Sequence, residues 1–342
     1  MHRRITVLAG GVGGARFTRG LLAELAQRHP GSGPPPVEVT VIANTGDDLT
    51  LNGLRVCPDL DTIMYTLGGG IFEEQGWGRP DESRRTSAEI TAYGRGLDWF
   101  TLGDLDLATH IVRSDLLAGG QSLSEVTEFL CRRWNPGVRL LPMSDQRVET
   151  QVRLAEPADD HAAGELIHFE EWWVRYRAGV RASEFVQQGL SHAVAAPGVL
   201  AAIAEADVVI LPPSNPVVSI GTIVNIAGVR QALRSTEARV VGVSPIIGGA
   251  AVRGMADRCL ETIGVETSAL GVGLHYGARS AGGIMDGWLV DETDAAALAP
   301  LAAAGLHAAA VPLWMRDTAT TTTLARDALL LARACLPKRA RE

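Results

Sequence analysis

The sequence predicts an α/β fold, a doubly wound and mostly parallel sheet with an inserted, more helical subdomain. Two observations predict it. Four short β-branched runs, ITVLA (5–9), VTVIA (39–43), DVVIL (207–211) and RVVGV (239–243), have the unbroken apolar character of strands buried on both faces. Helical patterns separate most of them, and strand–helix alternation builds a parallel sheet with right-handed crossovers.

The elements follow in chain order. The first strand runs into GGVGGAR and then a helix over 15–29. The second strand is followed by NTGDD, and PDLDT starts another helix. From about 70 to 195 the rhythm breaks: the segment is rich in Trp and Glu, with a polar helix over 122–134 and a more strand-like stretch over 138–145. Its tryptophans Trp77, Trp99, Trp134, Trp172 and Trp173 are mostly core, with one or two suited to stacking on a flat ring. The alternation then resumes with helices over 196–206 and 221–234 and weaker strand candidates over 288–290 and 308–313. This divides the chain into a core of 1–70 and 196–330, an inserted part of 71–195, and a helix end with a basic tail over 331–342.

Composition removes several classes of function. With a net charge of −8 and no basic block except the tail LPKRARE, the chain is not built to bind nucleic acid. Cys57, Cys131, Cys259 and Cys335 are scattered, without zinc spacing, as expected of buried thiols in a reducing compartment. The apolar part of MHRRITVLAGG is too short for a signal peptide, and the run over 295–315 is broken by Pro300, Gly305 and His307, so it reads as helix, turn and strand. A cytoplasmic enzyme or binding protein with no membrane partner is the expectation.

In open α/β sheets ligands bind beyond the carboxyl ends of the strands. The four strong strands lead into GGVGGAR, NTGDD, PPSNP and SPIIGGAA, which should meet at one rim. Gly10, Gly11, Gly13 and Gly14 permit close backbone approach, and the helix behind them offers free N–H groups and a positive dipole end, a cradle for phosphate. The loop lacks G-K-[ST], so it is not a Walker loop. Arg16 stands where a dinucleotide fingerprint needs glycine, and Asn44 where it expects an acid, which disfavours a nicotinamide dehydrogenase.

Four acids, Asp47, Asp48, Asp59 and Asp61, follow close behind that cradle. Individually they read as turn residues or helix caps. Together, without a cation, they would repel one another and a phosphate alike. Mg²⁺ removes the conflict, since it takes carboxylate and phosphate oxygens. Some of the four are therefore expected to hold a divalent metal, and one to orient or deprotonate an attacking hydroxyl. Further candidates are Asn44 and Thr45 at the rim, Asp104, His110 and Arg113 in LGDLDLATHIVRS, Ser214 and Asn215 in PPSNP, and Gly248 and Gly249 in SPIIGGAA. His110 and Arg113 share a helix face, and the fork of Arg113 suits a phosphate, a carboxylate or an ordinary ion pair.

In this order, LAGGVGGARFTRGL, ANTGDDLTLNGLRVCPDLDTIMYTLGG, WFTLGDLDLATHIVRS, LPMSD, PPSNPVVSIGTI and VSPIIGGAAVRGMAD closely resemble the 2-phospho-lactate transferase family, called CofD or, in actinobacteria, FbiA. The resemblance runs from the first strand to about residue 290. It implies a homodimer with a Rossmann-like core and Mg²⁺-dependent chemistry in biosynthesis of the deazaflavin coenzyme F-420. The implied donor is a three-carbon acid joined through a diphosphate to guanosine. The terminal ribityl hydroxyl of the deazaflavin Fo attacks the acid-side phosphorus, and GMP leaves. Transferred to this chain, the resemblance implies that Asp47, Asp48 and Asp61 are catalytic, that Asp47, Asp48, Asp59 and Asp61 hold the metal, and that the glycines and the further candidates contact substrate. The arginine- and alanine-rich composition leans toward an actinobacterial source and hence an enolpyruvyl donor. The competing expectation is a non-catalytic regulator that shares the fold and binds a nucleotide sugar, which would not need PDLDT or the LATH segment.

Overall fold

The computed structural model describes residues 3–28 and 37–335; the basic tail expected over 336–342 lies outside the described residues. Seven strands form one sheet: β1 (Arg4–Ala9), β2 (Glu38–Ala43), β3 (Arg139–Pro142), β4 (Val208–Leu211), β5 (Arg239–Val243), β6 (Gly287–Val290) and β7 (His307–Ala310). Their order is β7-β6-β5-β4-β1-β2-β3, and every neighbouring pair is parallel. The fold is therefore α/β and Rossmann-like. The order reverses between β1 and β4, which places the ligand crevice beyond their carboxyl ends.

The pleat sorts the side chains. Ile5, Val7 and Ala9 of β1 and Val39 and Val41 of β2 point into one layer, packed under α1 (Val12–Gln27), α2 (Pro58–Leu67), α5 (Leu123–Trp134) and the C-terminal helix Thr318–Ala334. Leu8, Ile42, Val209 and Leu211 point into the opposite layer, against Ile203, Ile223, Leu233 and Trp288. Both faces of the sheet are covered, which is why the strands read as unbroken apolar runs. α1 lies close to the C-terminal helix because Gly20 faces Thr321, where any Cβ would overlap the Thr321 backbone.

Three features differ from the sequence expectation. Residues 139–142, counted within the inserted part, form edge strand β3 beside β2. Leu140, Leu141 and Pro142 are buried there, so this stretch obeys the same apolar rule as its neighbours. The helix expected over 221–234 is two helices, Ile220–Asn225 and Val229–Ser235, separated at Gly228, whose φ of +86° no continuing helix tolerates. Finally, the chain between NTGDD and PDLDT is a hairpin, Leu49–Leu51 with Leu54–Val56, closed by Asn52 and Gly53, both at positive φ.

The rest of the 71–195 region forms two units. α4 (Asp104–Ala118) lies beside the hairpin, whose Leu49, Leu51 and Val56 pack on Leu102 and Leu107, and α3 (Arg85–Ala92) lies against α4. Strands Glu149–Leu154, Leu166–His168 and Ala182–Gln188 make a separate antiparallel sheet around Val152, Leu154, Ile167, Phe169 and Trp172. Among the described residues no helix is long and apolar enough to cross a membrane.

Candidate active site

The glycine loop lies at the switch point. Gly10 N–H donates to Ser214 Oγ at 3.2 Å, joining the loops that follow β1 and β4. Gly13 packs on the Pro213 carbonyl and Gly14 on Ala9, so a Cβ at either position would overlap atoms of its neighbour. α1 begins at Val12 with no side-chain cap and no acid in its first turn, which leaves its N–H groups and dipole to the crevice. Asp59, from the first turn of α2, reaches across and accepts a hydrogen bond from the Gly11 backbone.

Asn44 organises the acids. Its amide donates to Asp47 Oδ2 at 3.1 Å and Asp59 Oδ2 at 2.9 Å, while its Oδ1 accepts Gly46 N–H at 2.9 Å. The residue at the end of β2 thus ties two carboxylates together instead of meeting a ribose. Asp48 accepts from Arg55 Nη2 at 2.9 Å, and the other arm of Arg55 reaches Glu149 at 3.1 Å. One oxygen of Asp47, one of Asp48 and the hydroxyl of Thr45 are buried with no hydrogen-bond partner. Burial, followed by repulsion from Asp59, Glu170 and Asp48, pushes the Asp47 carboxyl well above its ordinary value. Burial raises Asp48 to about 6 against the pull of Arg55, and Asp59 to about 6 against its bonds to Asn44 and Gly11. Glu170, from the inserted sheet, is raised to about 8 by burial and by Asp59 and Asp48. Too many negative charges share too little water. Orphaned carboxylate oxygens in such a group fit a divalent cation, whose hard oxygen preference matches the donor set.

Asp61 is near enough to Asp48 for their charges to repel, and its Oδ2 is likewise buried without a hydrogen-bond partner, but its main partner lies on another helix. It faces α4, where Arg113 Nη2 donates to its Oδ1 in a buried ion pair. Arg113 Nη1 lies 3.1 Å from His110 Nδ1. Because a guanidinium only donates, His110 Nδ1 accepts and the ring proton sits on Nε2, 3.4 Å from Asp106 Oδ2. Tyr65 OH bonds Asp106 and Thr109, each at 2.8 Å. Burial raises the Asp61 carboxyl, and Arg113 and His110 oppose that rise. Burial also works against Asp106, but hydrogen bonds from His110 and Tyr65 hold it below its ordinary value. Ligand atoms of Asp61, Asp106 and His110 come within 4.8 Å of one another, a spacing that would accept a metal. There the charge of Arg113 offsets Asp61, although Asp61 Oδ2 is itself buried without a hydrogen-bond partner and buried His110 Nε2 has only its long contact to Asp106. Among the described residues Asp47, Asp59 and Glu170 pair with no arginine, while Arg55 and, without a direct bond, Arg113 act on Asp48.

The remaining sequence candidates divide. Ser214 joins the rim through Gly10. Asn215 is turned into its own loop, accepting from Val217 and Val218 N–H and donating to Cys259 Sγ at 3.4 Å. Asp104 is exposed and fastens the start of α4 to Ser83 by bonds of 3.0 and 2.8 Å, away from the other acids. Gly248 and Gly249, at φ +58° and +78°, close the hairpin Ile246–Ile247 with Ala250–Ala251, and Gly248 N–H donates to Asp294. The structure also brings in residues the sequence reading passed over, Arg55, His168 and Glu170, and gives a partner to Asp106, which that reading named in LGDLDLATHIVRS without a role. For Arg55 the signal was its closeness to the acids; for Glu170, more than a hundred residues away, there was none.

The family model for the 2-phospho-L-lactate transferase CofD matches residues 5–319. The chain belongs to the CofD family. It is accordingly a transferase. A phosphoenolpyruvate transferase of Thermobifida fusca is 59% identical over 329 residues, covering 96% of this chain and 98% of its own. One of Kitasatospora aureofaciens is 57% identical with the same coverage. Among solved structures, a UPF0052 family protein of Bacillus halodurans has a TM-score of 0.60 at 16% identity, covering 96% of this chain and 99% of its own, a likeness of fold alone.

Two measurements check this geometry in the CofD family member itself. A raised carboxyl stabilises the fold while protonated and loses that contribution as pH rises through its folded value. Metal-free Asp47→Asn should therefore melt above the parent by a margin that widens between pH 5 and pH 8.5, the range over which Asp48, Asp59 and Glu170 ionise. A margin that is flat or shrinks with pH would contradict the assignment. Asp61→Asn, by contrast, strands Arg113 and should cost about 3–5 kcal/mol in urea unfolding. Asp61→Asn with Arg113→Met should recover much of that loss; purely additive losses would count against the pair.

Proposed function

We propose that the chain moves a phosphoenolpyruvyl group from a guanosine diphosphate-linked donor to the terminal ribityl hydroxyl of the deazaflavin Fo. The products are GMP and the dehydro form of coenzyme F-420-0. The family name gives the reaction class, and the curated relatives' name, phosphoenolpyruvate transferase, favours enolpyruvyl over lactyl. The observation that carries the reading is the group of buried, mutually repelling carboxylates opposite an uncapped, glycine-lined helix start.

Asp47, Asp48 and Asp59 would hold Mg²⁺, with Asp61 anchored behind them by Arg113. When bound, the ion neutralises charge on the diphosphate and on the departing phosphate. The chain's own residues do the positioning, which is most of what phosphoryl transfer requires. Backbone N–H groups of Gly11, Gly13 and Gly14 receive the diphosphate, with Asp59 giving up its bond to Gly11. Ser214 fixes the loop so that those groups converge. The hydroxyl oxygen bonds to the acid-side phosphorus as the bond to GMP breaks, and its proton passes to a carboxylate of the Asp47–Asp48 pair. No covalent intermediate on the protein is needed. The inserted sheet and the 72–102 segment form the side on which the flat acceptor lies, in a cytoplasmic homodimer.

The test mixes protein, Mg²⁺ and Fo with the enolpyruvyl, lactyl and glyceryl donors in turn. GMP and the product mass should appear fastest with the enolpyruvyl donor and vanish with a chelator. No product with any donor would overturn the reading.

A further inference from the structure

One buried acid has no role in the reading above. Glu170 belongs to the inserted sheet, yet it is only 8% exposed, and among the described residues no hydrogen bond or ion pair engages its carboxylate. A carboxylate so placed costs stability unless something compensates it. Its position is not accidental slack in a loop. His168, two residues before it, accepts the Glu170 backbone N–H on Nδ1 at 3.1 Å and donates from Nε2 to the Asp48 carbonyl at 3.1 Å. One neutral imidazole thereby bolts the inserted sheet onto the loop that carries Asp47 and Asp48. Directly after Glu170 the chain makes a π-helical turn, Glu171–Arg175. Such turns are rare and concentrate at functional sites, because the extra residue re-aims a side chain. The turn is itself secured: Arg175 and His161 both bind Glu171, at 2.7 and 3.2 Å. Glu170 lies close enough to Asp47, Asp48 and Asp59 for their charges to repel.

We infer that Glu170 is a further carboxylate of the cation site, supplied by the inserted sheet and aimed by the His168 bridge and the π-turn. His168 is a positioning residue. The inference rests on the cation site proposed above and adds a consequence: the site is complete only when the inserted sheet is docked on the core. The acid comes from outside the core sheet, so loading the cation also fastens the two layers together.

The experiment titrates Mn²⁺ alone into the full-length protein by calorimetry, comparing the parent, Glu170→Gln and Glu171→Gln, with the metal-free melting temperature of each as a check of folding. Glu170→Gln should remain folded, melting no lower than the parent, and should bind Mn²⁺ about tenfold or more weakly. Glu171→Gln, one residue on but turned to His161 and Arg175, should bind as the parent does. Equal affinity of Glu170→Gln and the parent would overturn the role of Glu170 and leave the three-aspartate site standing, as would equal weakening by Glu171→Gln. A parent that binds no Mn²⁺ would overturn both.

Discussion

The arrangement rests on the cost of placing several carboxylates together out of water. Asp47, Asp48, Asp59 and Glu170 lie together at the carboxyl edge of the sheet, and among the described residues only Asp48 of the four pairs with an arginine. In a protein interior such a group either holds protons or holds a cation. Everything nearby serves to keep it assembled. Asn44 ties Asp47 to Asp59, Arg55 braces Asp48 against Glu149, and His168 brings in the fourth acid. The glycine loop faces the same crevice with the opposite electrostatic character. On the proposed function, a diphosphate would be attracted there once the acids are neutralised and repelled while they are not, so metal and anionic substrate would favour each other's binding.

The Asp61–Arg113–His110–Asp106–Tyr65 network beside this group differs from it in charge: its buried arginine offsets one of only two carboxylates. A buried ion pair adds little net stability, but removing one partner is costly. Such a pair fixes geometry, since neither group can turn away without losing its counter-charge. It locks α2 to α4, and α2 carries Asp59 on its first turn. The acids of PDLDT thus divide their work: Asp59 faces the crevice and Asp61 holds the helix that presents it.

Much of this was legible in the sequence. Buried parallel strands leave unbroken apolar runs, so β1, β2, β4 and β5 and the rim built from their loops could be read directly. Asp47 and Asp48 fell on the rim by strand position alone. The Asn52-Gly53 dipeptide carried a hairpin signal that went unread among the aspartates. What could not be read were partners set by tertiary contact. Nothing in spacing says that Arg113 takes Asp61, or that Asp104 ties its helix start to Ser83 instead of joining the acids. Glu170 and His168 sit in a polar stretch with no period, and only the docking of the inserted sheet makes them neighbours of Asp48. Residues 139–142 read as strand-like, but the long detour that precedes them concealed that they belong to the core sheet.

On the proposed reading the cation belongs with the orphaned oxygens of Asp47 and Asp48, which lack a bidentate arginine, and not with Asp61, Asp106 and His110, where Arg113 already supplies a positive charge. Anomalous diffraction from crystals soaked in Mn²⁺ tests it most directly. A peak is expected within ligand distance of Asp47, Asp48 and Asp59. A peak confined to Asp61, Asp106 and His110, or no peak at either group, would contradict it.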